Sequence, residues 1–265
     1  MERIAFVYYA HDVSSVRIRE VRRLEQELPA KYDLFVVGCC HEASALASLS
    51  GGRAQTHSYT RDDLKKLPYP GRIKTTRWED IRGGEDLTLM RFWRDHPQYQ
   101  AYWFVEYDVR FTGKWGDFME IMDQSKADLV CSLVSKYKIG SEWPHWGSFQ
   151  PGESGIESGK MMSAFLPVCR ASSAMMEALN AFGINGGAGH VEAIWGSVAN
   201  AAGLSIEEIG GSGSFTPVER RGKFYNFADI PGVGRIGNFG AWPFYSDRSG
   251  FIHRKKNLLW HPVKD

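Results

Sequence analysis

The sequence predicts an α/β protein built on a mostly parallel, Rossmann-like central sheet flanked by helices, and three observations carry that prediction. Apolar β-type runs alternate along the chain with segments of helical period, the pattern that strand–helix–strand crossovers leave. The run Tyr102-Trp103-Phe104-Val105 is apolar and aromatic throughout, as a buried strand requires. A length of 265 residues is long for one domain, yet it suits a single α/β unit whose core lies on both sides of a sheet.

The first strand is read over residues 3–10. Ser14 or Ser15 caps a helix over 16–28, whose apolar positions include Val16, Leu24 and Leu28, and Pro29 stops it. A second strand follows at 32–39, a small helix at 42–49 closed by Gly51-Gly52, and a short third strand at 56–59. Residues 60–84 carry Pro68, Pro70, Gly71, Gly83 and Gly84 among many charges, which predicts a long loop with at most a short helix. A helix over 85–94 leads into a strand over 102–111, ended by Gly113. A helix at 115–122, a strand at 127–134 and an aromatic loop at 136–160 come next. A strand at 161–168, a helix at 171–182, a glycine cluster at 183–189, a helix to about 202 and a last strand at 204–209 complete the periodic part. Residues 210–265 are rich in glycine and aromatics with little periodicity, and tails of that length persist in globular proteins mostly when they close over something.

Composition excludes several classes. Hydrophobic residues make up 43% and charged residues 24%, with 32 basic against 31 acidic side chains. That balance leaves no electrostatic footprint for nucleic acid and no basic tail for anionic lipid. No apolar run approaches the roughly 20 residues that span a bilayer. The four cysteines, Cys39, Cys40, Cys131 and Cys169, have no disulfide or zinc spacing and are expected as buried thiols. The chain opens directly into an apolar strand without a basic leader, so a cytoplasmic location is expected, with room left for peripheral membrane attachment. Gly232-Val233-Gly234-Arg235-Ile236-Gly237 matches G-x-G-x-x-G but follows Ile230-Pro231 and precedes Asn238-Phe239-Gly240, so it is read as an irregular loop and not a dinucleotide turn. Walker A, G-x-S-x-G and H-E-x-x-H sequences are all missing, which removes P-loop, serine-nucleophile and zincin chemistry.

Three elements remain. Glu106 and Asp108 stand two positions apart in the aromatic strand, so alternation sends both to one face. Two anions there call for a cation, either Mg²⁺ or Mn²⁺ with its oxygen-ligand chemistry, or a basic side chain such as Arg110. In an unbent strand the two Cα atoms are about 6.7 Å apart, too far for easy joint chelation. The second element is Gly189-His190-Val191-Glu192, where glycines admit close backbone approach and Glu192 opens a helix. Alone, it is equally a glutamate favouring the helix dipole. The third is Leu258-Leu259-Trp260-His261-Pro262-Val263-Lys264, an imidazole and an ammonium group near the C-terminus that read otherwise as a solvated tail.

In this order the three elements resemble a glycosyltransferase of the GT-A fold. More narrowly, the chain resembles an uncharacterised bacterial and fungal family with the signature Tyr-Trp-x-x-Glu-Tyr-Asp-Val-Arg-Phe-x-Gly-x-Trp, here Tyr102 to Trp115. The resemblance is dense over residues 87–118 and looser at the first strand, around Glu192 and at 261–264. It implies that Glu106 and Asp108 serve as a D-x-D-like motif holding a divalent cation on the diphosphate of a nucleotide sugar. His261 would complete the coordination, and Lys264 would lie near the phosphates. Glu replaces the usual first Asp, which points to Asp108 as direct ligand, with Glu106 acting through water or on the donor ribose. Residues 1–112 then form the nucleotide-binding half of one domain, and residues 113–265 the acceptor-binding half and its closing segment.

Sugar transfer builds negative charge on the departing diphosphate and requires the acceptor hydroxyl to lose a proton. Glu192 is the candidate base for an inverting reaction; in a retaining one it would position the acceptor. The resemblance places the nucleobase and ribose at Tyr8, Tyr9 and His11. Trp143, His145 and Trp146, with His190, are a candidate acceptor platform on aromatic grounds, and Arg235 a contact for an anionic acceptor. Two rivals stand beside transfer: a nucleotide-sugar or glycan-binding module without catalysis, and a glycoside hydrolase. The hydrolase needs carboxyl groups about 5–10 Å apart, usually on separate elements.

Overall fold

The computed structural model describes residues 3–10, 12–39, 43–79, 81, 84–230, 234–240, 243–246 and 252–264. Strands β1 (Ile4–Ala10), β2 (Tyr32–Cys39), β3 (Gln55–Tyr59), β4 (Ala101–Glu106), β6 (Leu129–Lys136), β7 (Met162–Ser172) and β8 (Ile206–Glu208) form one seven-stranded sheet in the order β3-β2-β1-β4-β7-β6-β8. β7 runs antiparallel to both neighbours, and every other pairing is parallel. The expected α/β architecture, a mostly parallel sheet flanked by helices, is therefore present. The out-of-sheet strand β5 (Arg110–Phe111) is taken up below.

Alternation along the strands divides the core into two layers. Phe6, Tyr8, Val36, Trp103 and Val105 pack with Val21 and Leu24 of α1 (Ser15–Glu27) and Phe118 and Met122 of α6 (Trp115–Met122). Ala5, Val7, Phe35, Val37, Tyr102 and Phe104 pack on the opposite face. Their partners there are α5 (Asp86–Asp95), α7 (Ser173–Ile184) and α8 (Val191–Ala201). Ser14 caps α1, its hydroxyl accepting from Arg17 N at 3.4 Å, and the helix ends ahead of Pro29. A Cβ on Gly196 would stand 2.6 Å from Met162 O, so glycine lets α8 lie backbone to backbone on β7.

Several boundaries differ from the sequence expectation. α2 is shorter than expected (Ala43–Ala47). Residues 60–84 hold two short helices, α3 (Arg61–Lys65) and α4 (Pro70–Thr75), where at most one was expected. Thr60 and Asp63 form a reciprocal capping box that starts α3, and Pro70 at the first turn starts α4. β7 runs on to Ser172, so α7 begins two residues later than expected, with the Ser172 hydroxyl as its cap. The G-x-G-x-x-G stretch, expected as an irregular loop, ends in strand β10 (Gly234–Gly237), antiparallel to β9 (Phe227–Ile230). It makes no strand-to-helix turn.

The C-terminal segment is tied down by β-bridges. β12 (Leu259–Trp260) pairs antiparallel with β5, and β13 (Val263–Lys264) pairs with β11 (Tyr245–Ser246). Val263 N donates to Asp108 O at 2.8 Å and Thr112 N to Leu258 O at 2.9 Å. The tail thus runs directly beside the acidic segment. Among the described residues no helix is long and apolar enough to cross a membrane.

Candidate functional site

β4 stops at Glu106, the chain turns through Tyr107–Asp108, and β5 resumes at Arg110. Val109 N closes this turn on Glu106 O at 3.1 Å. The continuous strand expected over 102–111 is thereby corrected, and the bend removes the spacing problem of a flat strand. One ligand atom each from Glu106, Asp108 and His261 lie within 4.8 Å of one another. All three sit at the carboxyl edge of the parallel strands, where open α/β sheets bind ligands.

Tail pairing brings His261 here. His261 N donates to Asn238 O at 3.0 Å, and Asn238 Nδ2 donates to Leu259 O at 2.6 Å. The imidazole Nε2 is 3.4 Å from both Glu106 Oε2 and Asp108 Oδ1. Its Nδ1 faces Gly240 O at 2.8 Å. A carbonyl only accepts, so Nδ1 carries a proton and Nε2 is left to the acids. Lys264 Nζ donates to Asp108 Oδ2 at 2.6 Å and to the Tyr107 hydroxyl at 3.3 Å. Arg17 and Lys264 both lie over the Tyr107 ring, 4.7 and 5.3 Å from its centroid. Arg110, the alternative partner for the acids, donates to the carbonyls of Tyr107 and Val109.

Electrostatics follow from this packing. Burial alone would raise the Asp108 carboxyl, but the His261 and Lys264 cations outweigh it and hold Asp108 well below the usual carboxylate range. Burial would likewise depress His261, yet Asp108 and Glu106 push it up to about 10. The imidazolium therefore supplies positive charge between the two acids. Asp108 is 4% exposed, and its Oδ1 is buried without a hydrogen bond. A carboxylate oxygen without a hydrogen bond, a second carboxylate and an imidazole whose far N–H is fixed by a carbonyl make a donor set that fits a divalent cation, which would take the place of the Nε2 proton.

Glu192 lies in the first turn of α8, half-buried, with His190 as the cap. Burial, followed by the charge of Glu106, pushes its carboxyl up to about 8, with His261 opposing and Glu85 adding. A cavity of about 400 Å³ including its open mouth lies between Glu106 and the first turn of α8, lined by Tyr9, Glu106, Val191 and Trp195 among others. Gly189 precedes the cap at φ +137, a conformation open mainly to glycine, against the backbone of Ser148 and Phe149.

A buried ion pair that no local sequence signal marks holds this helix start. Arg72 of α4 donates to Asp86 Oδ1 and to Gly189 O, and Trp195 Nε1 donates to Asp86 Oδ2 at 3.3 Å. Its partners are separated by 14 and 109 residues, and Arg72 stands in a stretch read as loop. Trp195→Phe removes one donor from a buried carboxylate and is expected to cost about 1–3 kcal/mol. Urea unfolding checks it, and a midpoint equal to wild type would show that the indole bond contributes nothing.

The remaining expected residues are placed as follows. Tyr8 is 2% exposed, and its hydroxyl donates to Tyr107 O at 3.2 Å, so its ring packs in the core with no open face for a base. That corrects the placing of the nucleobase at Tyr8. Tyr9 lines the cavity beside Glu106. His11 lies outside the described residues; Arg235 is on β10, with its side chain outside them. His145 and His190 stack at 3.7 Å, and Trp143 packs on both. Burial, then the charges of His145 and Arg72, lowers His190 to about 4, and its Nδ1 accepts from Glu192 N. Trp146 is 8% exposed and donates to Ser141 Oγ, which makes it a pillar inside the loop and corrects its reading as an open platform.

An α/β sheet with a carboxylate–imidazole cluster at its carboxyl edge is the class that fold and site define. No protein-family profile and no curated protein matches the sequence. Among solved structures, the galactosyltransferase LgtC in complex with donor and acceptor sugar analogs is 11% identical, with a TM-score of 0.43 over 78% of this chain and 73% of that one. Core-mannan synthase A (CmsA/Ktr4) from Aspergillus fumigatus in its Mn/GDP form is 10% identical, with a TM-score of 0.39 over 78% and 73%. A putative glucose-1-phosphate thymidylyltransferase from Bacillus anthracis is 11% identical, with a TM-score of 0.43 over 77% and 86%. Overlaps this loose assign no activity to the chain.

Proposed function

We propose that this chain is a metal-dependent glycosyltransferase of the GT-A type, moving a sugar from a nucleotide-sugar donor to an acceptor hydroxyl. The supporting observation is the Glu106–Asp108–His261 cluster, whose bent backbone points two carboxylates and one oriented imidazole nitrogen at a common centre. A divalent cation, Mn²⁺ or Mg²⁺, held there would supply the positive charge that a departing diphosphate needs. Lys264 adds a fixed cation beside Asp108 and would supply further positive charge to a diphosphate bound there. Arg17, 2% exposed and over the Tyr107 ring, brings a second cation to this side of the site, paired with Asp12 at 3.2 Å.

Next to the cavity-lining Val191, Glu192 accepts the proton of the acceptor hydroxyl. A carboxyl shifted to about 8 is a stronger base once ionised than an ordinary glutamate. Trp143, His145 and His190 form the aromatic rim next to it. The Arg72–Asp86–Trp195 contacts keep the start of α8, and with it Glu192, from drifting off the cavity.

A thermal-shift panel of nucleoside diphosphates with and without Mn²⁺ tests the donor side. One nucleotide should stabilise the protein only when the cation is present, by about 2.7 kcal/mol at a hundredfold excess over Kd. For a chain of this size that is about 5 °C or more. Equal shifts without the cation, or none with any nucleotide, would remove the donor reading.

A further inference from the structure

We propose that the groove between the end of β6 and residues 212–215 binds the anionic part of a glycan acceptor, one carrying carboxylate or phosphate groups. The proposal rests on the transfer reading above and names its substrate class. The groove encloses about 1850 Å³ including its open mouth, against about 400 Å³ for the cavity beside Glu106. Lys136 and Lys138 stand on its wall, both exposed, and neither is paired with a carboxylate among the described residues. No described residue lining it is acidic. Glu208, behind the wall, is 1% exposed and turned inward to Val134 N and the Thr216 hydroxyl. Unpaired ammonium groups in a concave site raise the local concentration of anions. Phe215 and Phe227 offer apolar faces for sugar rings, and Ser212 and Ser214 offer hydroxyl partners.

Two chains of packed, buried side chains run from this groove to the acid–imidazole cluster. Ser132 of β6 pairs with Phe165 of β7, whose ring centroid is 5.3 Å from that of His261. Lys136 is four residues further along β6, about 13 Å at strand rise. The second path is aromatic: His261 contacts Phe239 at 6.0 Å, Phe239 contacts Tyr225 at 5.7 Å, and Tyr225 stacks on Phe227 at 6.3 Å. Between Ser132 and Ser135 the β6–β7 ladder slips register, and Leu133 takes φ +49. Such irregularities bend a strand and re-aim its side chains, here turning Ser135 and Lys136 into the groove wall.

Equilibrium binding of three oligosaccharides to the full chain tests the assignment. Galacturonic acid trisaccharide is the carboxylate source, maltotriose 6-phosphate the phosphate source, and maltotriose the neutral control. At least one anionic probe should bind tenfold or more tighter than maltotriose, weaken as salt rises, and lose that advantage in Lys136→Glu/Lys138→Glu. The anionic probe that shows the advantage in wild type identifies the source. Equal binding of charged and neutral probes, no binding of either anionic probe, or unchanged affinity in the double variant would overturn the proposal. Mn²⁺-dependent nucleotide binding is measured on the same samples: its retention in the variant shows an intact fold. Its absence in wild type would count against sugar transfer, while the groove's ligand class would still be read.

Discussion

Replacing Asp108 by alanine is expected to abolish Mn²⁺-dependent nucleotide stabilisation and to lower sugar transfer on the order of 10³-fold, about 4 kcal/mol in the barrier. Asp108 is the one acid contacted by both His261 and Lys264, and its second oxygen is buried without a hydrogen bond. Removing it strips the cation site of its most enclosed ligand. It also leaves His261 with Glu106 alone to support its charge, so the imidazolium loses much of what pushes it up to about 10. Removing this 4% exposed carboxylate also costs stability, though less than the roughly 3–5 kcal/mol typical of a fully buried pair, because Lys264 is 46% exposed and His261 keeps Glu106. Asp108→Asn keeps the shape and separates the two effects: it should fold with a smaller loss, yet still fail to bind nucleotide with Mn²⁺. A metal-dependent shift that survives in Asp108→Asn would place the cation elsewhere.

The sheet was legible in the sequence because its strands are continuous apolar runs separated by helical periods, and both patterns are local. Glu106 and Asp108 were legible for the same reason, since two acids in an aromatic run stand out within ten residues. The turn that makes them converge was not, because an extended run and a run with a hydrogen-bonded bend at 107–109 have the same alternation. His261 and Lys264 could be suspected by resemblance, but their position depends on β12 pairing with β5 across some 150 residues, which no periodicity reports. Arg72, Asp86 and Trp195 left no signal: a buried ion pair is defined by who meets whom, and single residues of ordinary types do not announce a partner. Tyr8 failed in the opposite direction. Its place at the end of β1 suggested an open ring, whereas side-chain alternation sends it into the layer beneath α1, under Tyr107.

Glu192→Gln separates a catalytic base from a positioning residue. If Glu192 takes the acceptor proton, the amide cannot, and transfer should fall about 10²–10⁴-fold while donor binding, measured by the Mn²⁺-dependent shift, stays at wild type. In wild type the rate should climb with pH through a limb near 8, because only the ionised carboxyl accepts, and that limb should be missing from the variant. Stability moves the other way. The folded carboxyl holds its proton up to about 8, whereas the unfolded chain releases it near its ordinary value of about 4.3. Between those values the folded state binds more protons, so stability falls as pH rises through the window and is lowest above 8. The loss amounts to a few kcal/mol at most, trimmed by the partial exposure of the side chain. Glutamine cannot ionise, so the variant should be the more stable protein at pH 9 and show no decline assignable to this position. Opposite pH trends in rate and stability, both removed by one isosteric change, tie the two to a single carboxyl. A wild-type rate limb that persists in Glu192→Gln would assign the proton to another group and leave Glu192 a contact for sugar hydroxyls.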